Sequence, residues 1–390
     1  MQDEKDYTKT IKLICELLQS DPTPEVILGL RESFETLSKQ LRTGPFLEVF
    51  ETTLSNIPFA ALFSLLAAPD NRLIATVAEV TGQLLKPVTW AMVHQTFEEY
   101  IIQGLDHPHP VVKCLVLNQF LKCEGSSDPV STIVTRLSRC VQAWVPESQF
   151  SSQYGPHLWK CLDGKSDNDS TKLAKQALTH LCNVGMGMDY LLTEASLKAI
   201  RTLLSGNESQ RFRVYDVMVA TTKNSDSAFE LFRQEGVISA FLSEVSSDDV
   251  LVSMNFYELV PALCETPVSY DYLDSVGVFS KALNCLADAK TDDSVTGSLT
   301  RVAVLKLFSR MVDTKGAETK AFLEKYSVVR ELGDILKSSE SNGELISTAV
   351  NCLGAIGNNP AALEFLANEK EALKAFVSVY DTSLGHLRVE

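Results

Sequence analysis

Basic charge is scarce in this chain. Lys and Arg number 35 against 50 Asp and Glu, for a net charge of −15 at neutral pH. A nucleic-acid-binding surface needs clustered Lys and Arg to neutralise phosphates, so this balance argues against one. Long apolar runs are also missing. The longest, Ile57–Ala68, is too short to span a bilayer, which excludes a membrane partner of that kind. The N-terminal MQDEKDYTKTIK has no apolar core of a secretory signal. The nine cysteines include no C-x-x-C pair, and Cys182 and Cys352 sit at apolar helical positions. They read as small buried hydrophobes in a reducing compartment. A cytoplasmic protein with nuclear access is the expectation.

Catalytic signatures are absent as well. No G-x-S-x-G, no H-E-x-x-H and no paired carboxylates on a plausible scaffold occur. His107 and His109 lie near Cys114 and Cys123, but structural zinc needs closely spaced ligand pairs converging on one point. The histidines read as turn residues, with no metal. Gly185-Met186-Gly187 follows no strand and lacks phosphate-loop spacing, so it reads as the turn ending a helix. We expect no enzyme and no cofactor. No β alternation and no Gly/Ser linker divides the chain.

What the chain does have is self-similarity. FRQEGVISAFLSEV from Phe232 and LDSVGVFSKALNCL from Leu273 share apolar residues at the start and at offsets of six, nine and thirteen. These are Phe232, Ile238, Phe241 and Val245, then Leu273, Phe279, Ala282 and Leu286. The template also fits Leu191, Leu197, Ile200 and Leu204, then Leu323, Val329, Leu332 and Leu336, then Leu366, Ala372, Ala375 and Val379. Successive starts lie 41, 41, 50 and 43 residues apart, the long step holding the polar insert Ala289–Gly297. Such a period predicts an all-α solenoid of HEAT/armadillo repeats, a right-handed superhelix in which each repeat packs on its neighbours. Residues 1–390 then form one solenoid. The half over 1–185 looks HEAT-like, and 186–390 holds regular armadillo-like repeats of three helices.

Taken in order, Ile11, Ile14, Leu17 and Leu18 mark a first helix. Val26, Leu30, Phe34, Leu37 and Leu41 mark a second, ended by Gly44-Pro45. A helix pair over 46–68, a helix over 73–85 and another over 90–105 follow. Asp106-His107-Pro108-His109-Pro110 reads as a turn into the next helix, with Asp106 a candidate cap. A further helix is expected within 124–146. In the best repeat, Ser246, Ser247, Asp248 and Asp249 supply the cap before the third helix, and Asp292-Asp293 likewise precede a helix, where the macrodipole favours them.

Solenoids bind through a concave face, lined in armadillo repeats by third helices. Turning the apolar face of each third helix inward leaves Asp216, Glu258, Lys306 and Asn351 on the other side, at spacings of 42, 48 and 45. Asn118 is a candidate member from the HEAT-like half. The stripe is either a partner-binding surface or an ordinary solvated face. Armadillo carriers of nuclear-localisation peptides place a Trp four residues before an Asn on successive third helices. Here Trp90, Trp144 and Trp159 all fall outside the regular repeats, which argues against that mode.

Gln210-Arg211-Phe212-Arg213-Val214-Tyr215-Asp216, followed by GVISAFLSEVSSDDVLVSMNFYELV, resembles the proteasome non-ATPase regulatory subunit 5 family of assembly chaperones. Residues 103–120 (QGLDHPHPVVKCLVLNQF) and 41–50 (LRTGPFLEVF) agree in order and spacing. The resemblance runs from about residue 35, and the family's last repeats would lie beyond residue 390. It implies a non-enzymatic monomer that binds the C-terminal domain of one AAA-ATPase subunit of the proteasome base. It would escort base assembly intermediates and leave before the 26S particle is complete. A generic scaffold of the same fold with an unrelated protein client is the alternative. Arg211 and Arg213 could contact the partner or form inter-repeat salt bridges, and Tyr215 could be core.

Overall fold

The computed structural model describes residues 6–123, 151–165, 167–183, 188–223, 225–247, 249–288, 295–337 and 343–387. Among them every regular element is helical. The helix expected within 124–146, Cys140, Trp144, Gly185-Met186-Gly187, Asp248, Asp292-Asp293 and most of the polar insert lie outside the described residues. By contact the chain falls into two compact units, Met1–Gln210 and Arg211–Glu390.

In the first unit, α1 (Asp6–Leu18) packs on α2 (Pro24–Thr43), burying Ile11 and Ile14 against Leu30, Phe34, Leu37 and Leu41. Thr23 caps α2 by accepting the Val26 N–H at 3.3 Å. That satisfies one of the donors a helix start leaves without an internal partner. α3 (Phe46–Asn56) and α4 (Phe59–Leu65) follow. α5 (Asn71–Leu85) packs on α2 and is capped by Asp70, which accepts the Leu73 N–H at 2.7 Å. α6 (Trp90–Asp106) is kinked at Phe97 and packs on α7 (Pro110–Phe120). The turn between them differs from expectation. Asp106 pairs instead with His157 Nδ1 at 2.9 Å and Lys160 Nζ at 3.1 Å. His109 is the cap, its Nδ1 accepting the Val111 N–H at 3.3 Å. Pro110 at the first position of α7 needs no donor, so the cap falls on the residue just before it.

α8 (Tyr154–Lys160), α9 (Asn168–Asn183), α10 (Met188–Leu191) and α11 (Glu194–Leu204) complete this unit. Its joints are individual. Trp159, fully buried, donates its indole N–H to the Leu191 carbonyl at 2.9 Å, tying α8 to α10. Trp90, Phe120 and Tyr154 form one ring cluster, and the Tyr154 hydroxyl meets His94 Nδ1 at 2.8 Å.

The second unit repeats. Its third helices are α12 (Glu208–Thr222), α15 (Val250–Leu263), α18 (Val295–Lys315) and α21 (Gly343–Asn358). The first helices are α13 (Asp226–Gln234), α16 (Pro267–Ser275), α19 (Thr319–Tyr326) and α22 (Pro360–Asn368). The second helices are α14 (Val237–Ser243), α17 (Val278–Asp288), α20 (Val328–Lys337) and α23 (Lys370–Leu387). This is the HEAT/armadillo architecture that the apolar period predicts. Every template residue except Leu204, Val245 and Val379 is buried. The insert's last residues, from Val295, open α18 rather than lying in a loop.

One position of the template sets the turn from first to second helix. Four residues after the template start stand Gly236 (φ +79°), Gly277 (φ +79°) and Ser327 (φ +50°). All three are left-handed, a conformation that ends a helix by turning the chain sharply. Glycine adopts it without the Cβ clash that costs an L-residue about 1–2 kcal/mol. Ser327 therefore carries a strain that its two counterparts avoid.

Candidate partner-binding surface

The third helices of the second unit form a layer in which α18 packs between α15 and α21. Asp249, at the position expected to cap, accepts the Leu251 N–H at 2.8 Å and fixes the start of α15. Along α15, Val252, Phe256, Tyr257, Val260 and Leu263 are buried. Helical geometry turns Leu251, Asn255, Glu258 and Ala262 the other way, and Glu265 stands exposed in the turn just after the helix. On α18 the exposed counterparts are Lys306, Arg310 and Asp313, and on α21 they include Ser347, Asn351 and Asn358.

Glu258, Lys306 and Asn351 are thus exposed on three adjacent packed helices. Arg310, one turn beyond Lys306, sends its guanidinium to Glu258: Nη1 donates to the carbonyl at 3.2 Å and Nη2 to the carboxylate at 3.4 Å. This pair is open to water, where such contacts contribute little to stability. Between α15 and α18 lies a hollow of about 260 Å³, bordered by Glu258, Pro261, Ala262, Glu265, Arg310 and Asp313. Pro261, inside α15, has no N–H for the Tyr257 carbonyl four residues back, which loosens the helix at this point.

The α12 candidates are placed differently. Arg211 Nε donates to Glu244 Oε1 at 2.6 Å and Nη2 to Oε2 at 3.2 Å. The Tyr215 hydroxyl donates to the same Oε1 at 2.9 Å. Glu244 is buried, so the guanidinium and phenol supply the donors that a desolvated carboxylate requires. Burial and the adjacent carboxylate push the Tyr215 phenol well above its ordinary pKa. Arg211 is therefore held between α12 and the turn after α14. Arg213 and Asp216 are half-buried and already engaged by other groups. Asn118, on α7 of the first unit, is exposed, and its amide donates to the Cys114 carbonyl of its own helix at 2.8 Å.

The sequence stripe does not include Arg310, Asp313 or Glu265. Arg310 is one helical turn from Lys306 and would have emerged from following each stripe along its helix, as well as across repeats. Pro261 inside a helical pattern was a second available signal.

The turn histidines have backbone partners: His107 Nδ1 accepts the His109 N–H at 3.0 Å, and His109 serves as a cap. Among the described residues no three His, Cys, Asp or Glu side chains converge as a metal site would require. No helix among them is long and apolar enough to cross a membrane.

A family model described as proteasome non-ATPase 26S subunit matches residues 29–390. The 26S proteasome non-ATPase regulatory subunit 5 of Bos taurus is 23% identical over 332 residues, covering 84% of this chain and 61% of that protein. The Homo sapiens protein of the same name is 22% identical over the same length and shares. The chain thus spans about three fifths of the length of the curated relatives it matches. A crystal structure of Kap121p aligns at a TM-score of 0.53 and 12% identity, covering 99% of this chain and 40% of that one. Kap121p bound to Ste12p aligns at 0.53 and 12%, covering 98% and 39%. At this identity the structural likeness concerns the fold alone.

Proposed function

Because the chain belongs to the proteasome non-ATPase 26S subunit family, we propose that it acts in assembly of the proteasome regulatory-particle base. In this reading it binds the C-terminal domain of one AAA-ATPase subunit, escorts base intermediates in the cytoplasm or nucleus, and leaves before the mature particle forms. The observation that carries the reading is the family match over residues 29–390. The third-helix layer supports it physically. Its cores are packed and its outward ridges are polar and charged, so it can meet a folded domain without ordering a disordered segment first. Charged rims of this kind raise encounter rates and select partners more than they raise affinity. The chain's role is binding, and no residue is assigned a chemical step.

Capture of the full chain's partners from cells tests the reading. Recovery of an ATPase base subunit without core-particle subunits is expected. Recovery of mature 26S particles, or of no proteasome subunit, would sink the assembly role, and a non-proteasomal client would favour a generic scaffold.

A further inference from the structure

The outward face of α15 starts at one exposed leucine and ends beside an acidic hollow shared with α18. Leu251 stands 59% exposed at the start of α15. Eleven residues later Ala262 borders the hollow, about 16 Å or three turns further along the same helix face. Three carboxylates border that hollow, Glu258, Glu265 and Asp313, against one guanidinium, Arg310. Their states differ. Glu258 is taken up by Arg310, which also satisfies its backbone carbonyl beside the Pro261 interruption. Glu265 meets Lys223 at 2.9 Å in a half-exposed pair. Asp313 is exposed and has no hydrogen-bond or ion-pair partner among the described residues. An acidic group entering here would meet three carboxylates against one guanidinium, whereas a cation would complete Asp313.

We propose that this ridge docks a basic amphipathic helix of the partner, one apolar side chain on Leu251 and a Lys or Arg about three turns away in the hollow at Asp313. A helix fits better than an extended segment. It satisfies its own backbone, whereas a strand needs a row of backbone partners that an α-helical ridge does not offer. Residues three and four apart line one face, so a helix laid along α15 presents the two anchors together. The inference refines the surface of the assembly reading and names the chemistry of what it takes.

The test uses the full chain and three helix-stabilised 18-residue peptides, with binding read by fluorescence anisotropy. One peptide carries Leu and Arg eleven positions apart, one has that Leu replaced by Ala, and one has that Arg replaced by Glu. The first should bind at least tenfold more tightly than either other. Asp313→Lys should remove this preference and improve binding of the Glu peptide, and Leu251→Ala should erase the gap between the Leu and Ala peptides. Both positions are exposed, so circular dichroism should stay unchanged. Equal affinities for the three peptides, no detectable binding at millimolar peptide, or a ranking that Asp313→Lys leaves intact would overturn the inference. A purified ATPase C-terminal domain is titrated in parallel. If it binds wild type and Asp313→Lys alike while the peptides do not discriminate, the ridge inference fails and the assembly reading stands. If the peptides discriminate and the domain does not bind, the ridge stands and that choice of partner fails.

Discussion

The two units solve the same packing problem with different joints. In Arg211–Glu390, contacts between repeats recur at related positions. Arg233 of α13 lies over the Tyr272 ring of α16, and Asp274 of α16 meets Lys325 and Tyr326 of α19. In Met1–Gln210 the joints are single-use: Trp159 to the Leu191 carbonyl, His94 to Tyr154, and His180 Nε2 to the Cys123 carbonyl at 2.6 Å. A repeated joint spreads stability over many similar interfaces, as expected of a quasi-one-dimensional array. A single-use joint concentrates it. The sharpest way to break this contrast is Trp159→Ala. Truncating a fully buried Trp that also makes a hydrogen bond should cost about 3–5 kcal/mol. Hydrogen exchange should then show protection lost in α8, α9 and α11 and retained in α15, α18 and α21. Uniform loss across both sets of helices would show that the second unit has no stability of its own to distribute.

The second contrast lies inside the repeats. Gly236 and Ser327 occupy the same left-handed turn position, one with glycine and one without. A Cβ at Gly236 would meet nothing within 4 Å, so Gly236→Ala isolates the backbone cost. We expect a loss of about 1 kcal/mol, the left-handed penalty less the smaller entropy that Ala gives up on folding. Ser327→Gly reverses the argument and should gain about 0.5 kcal/mol. Urea titration of the two variants checks both signs. Two losses would mean that the Ser327 side chain contributes more than its strain costs.

These turns also show what the sequence could disclose. The apolar template recurs with the period and Gly236 and Gly277 hold the same place in it, so one copy informs the next. Arg211 with Tyr215 was open to two readings, because the sequence does not say that Glu244, 33 residues on, would lie within 2.6 Å. In the first unit no period links Trp159 to Leu191 or His94 to Tyr154, so only the folded chain pairs them. The hollow depends on register between helices: Glu258 meets Arg310, 52 residues away, whereas the stripe paired it with Lys306 at 48. A shift of one helical turn is invisible to an apolar template, since either residue lies on the outward face.

A last contrast concerns a joint of the first unit built on a charge. Lys122 follows α7 and donates to the Leu85 carbonyl at 2.6 Å, the Val88 carbonyl at 3.3 Å and Gln119 Oε1 at 2.7 Å. It thereby closes the carbonyl end of α5, where a cation is favoured. No carboxylate is among these partners, and burial pushes the ammonium down from 10.5 to about 8. Between those values the unfolded chain holds a proton that the folded chain has released, so stability rises with pH across that window. Below pH 8 both states are charged and the full burial cost is present. Unfolding free energies of wild type and Lys122→Met, measured from pH 7 to 10.5, cancel the other titrations. The difference should move in favour of wild type as pH rises through 8. A flat difference would mean that three carbonyl contacts hold the ammonium as firmly as water does, and that this joint resembles the neutral ones around it.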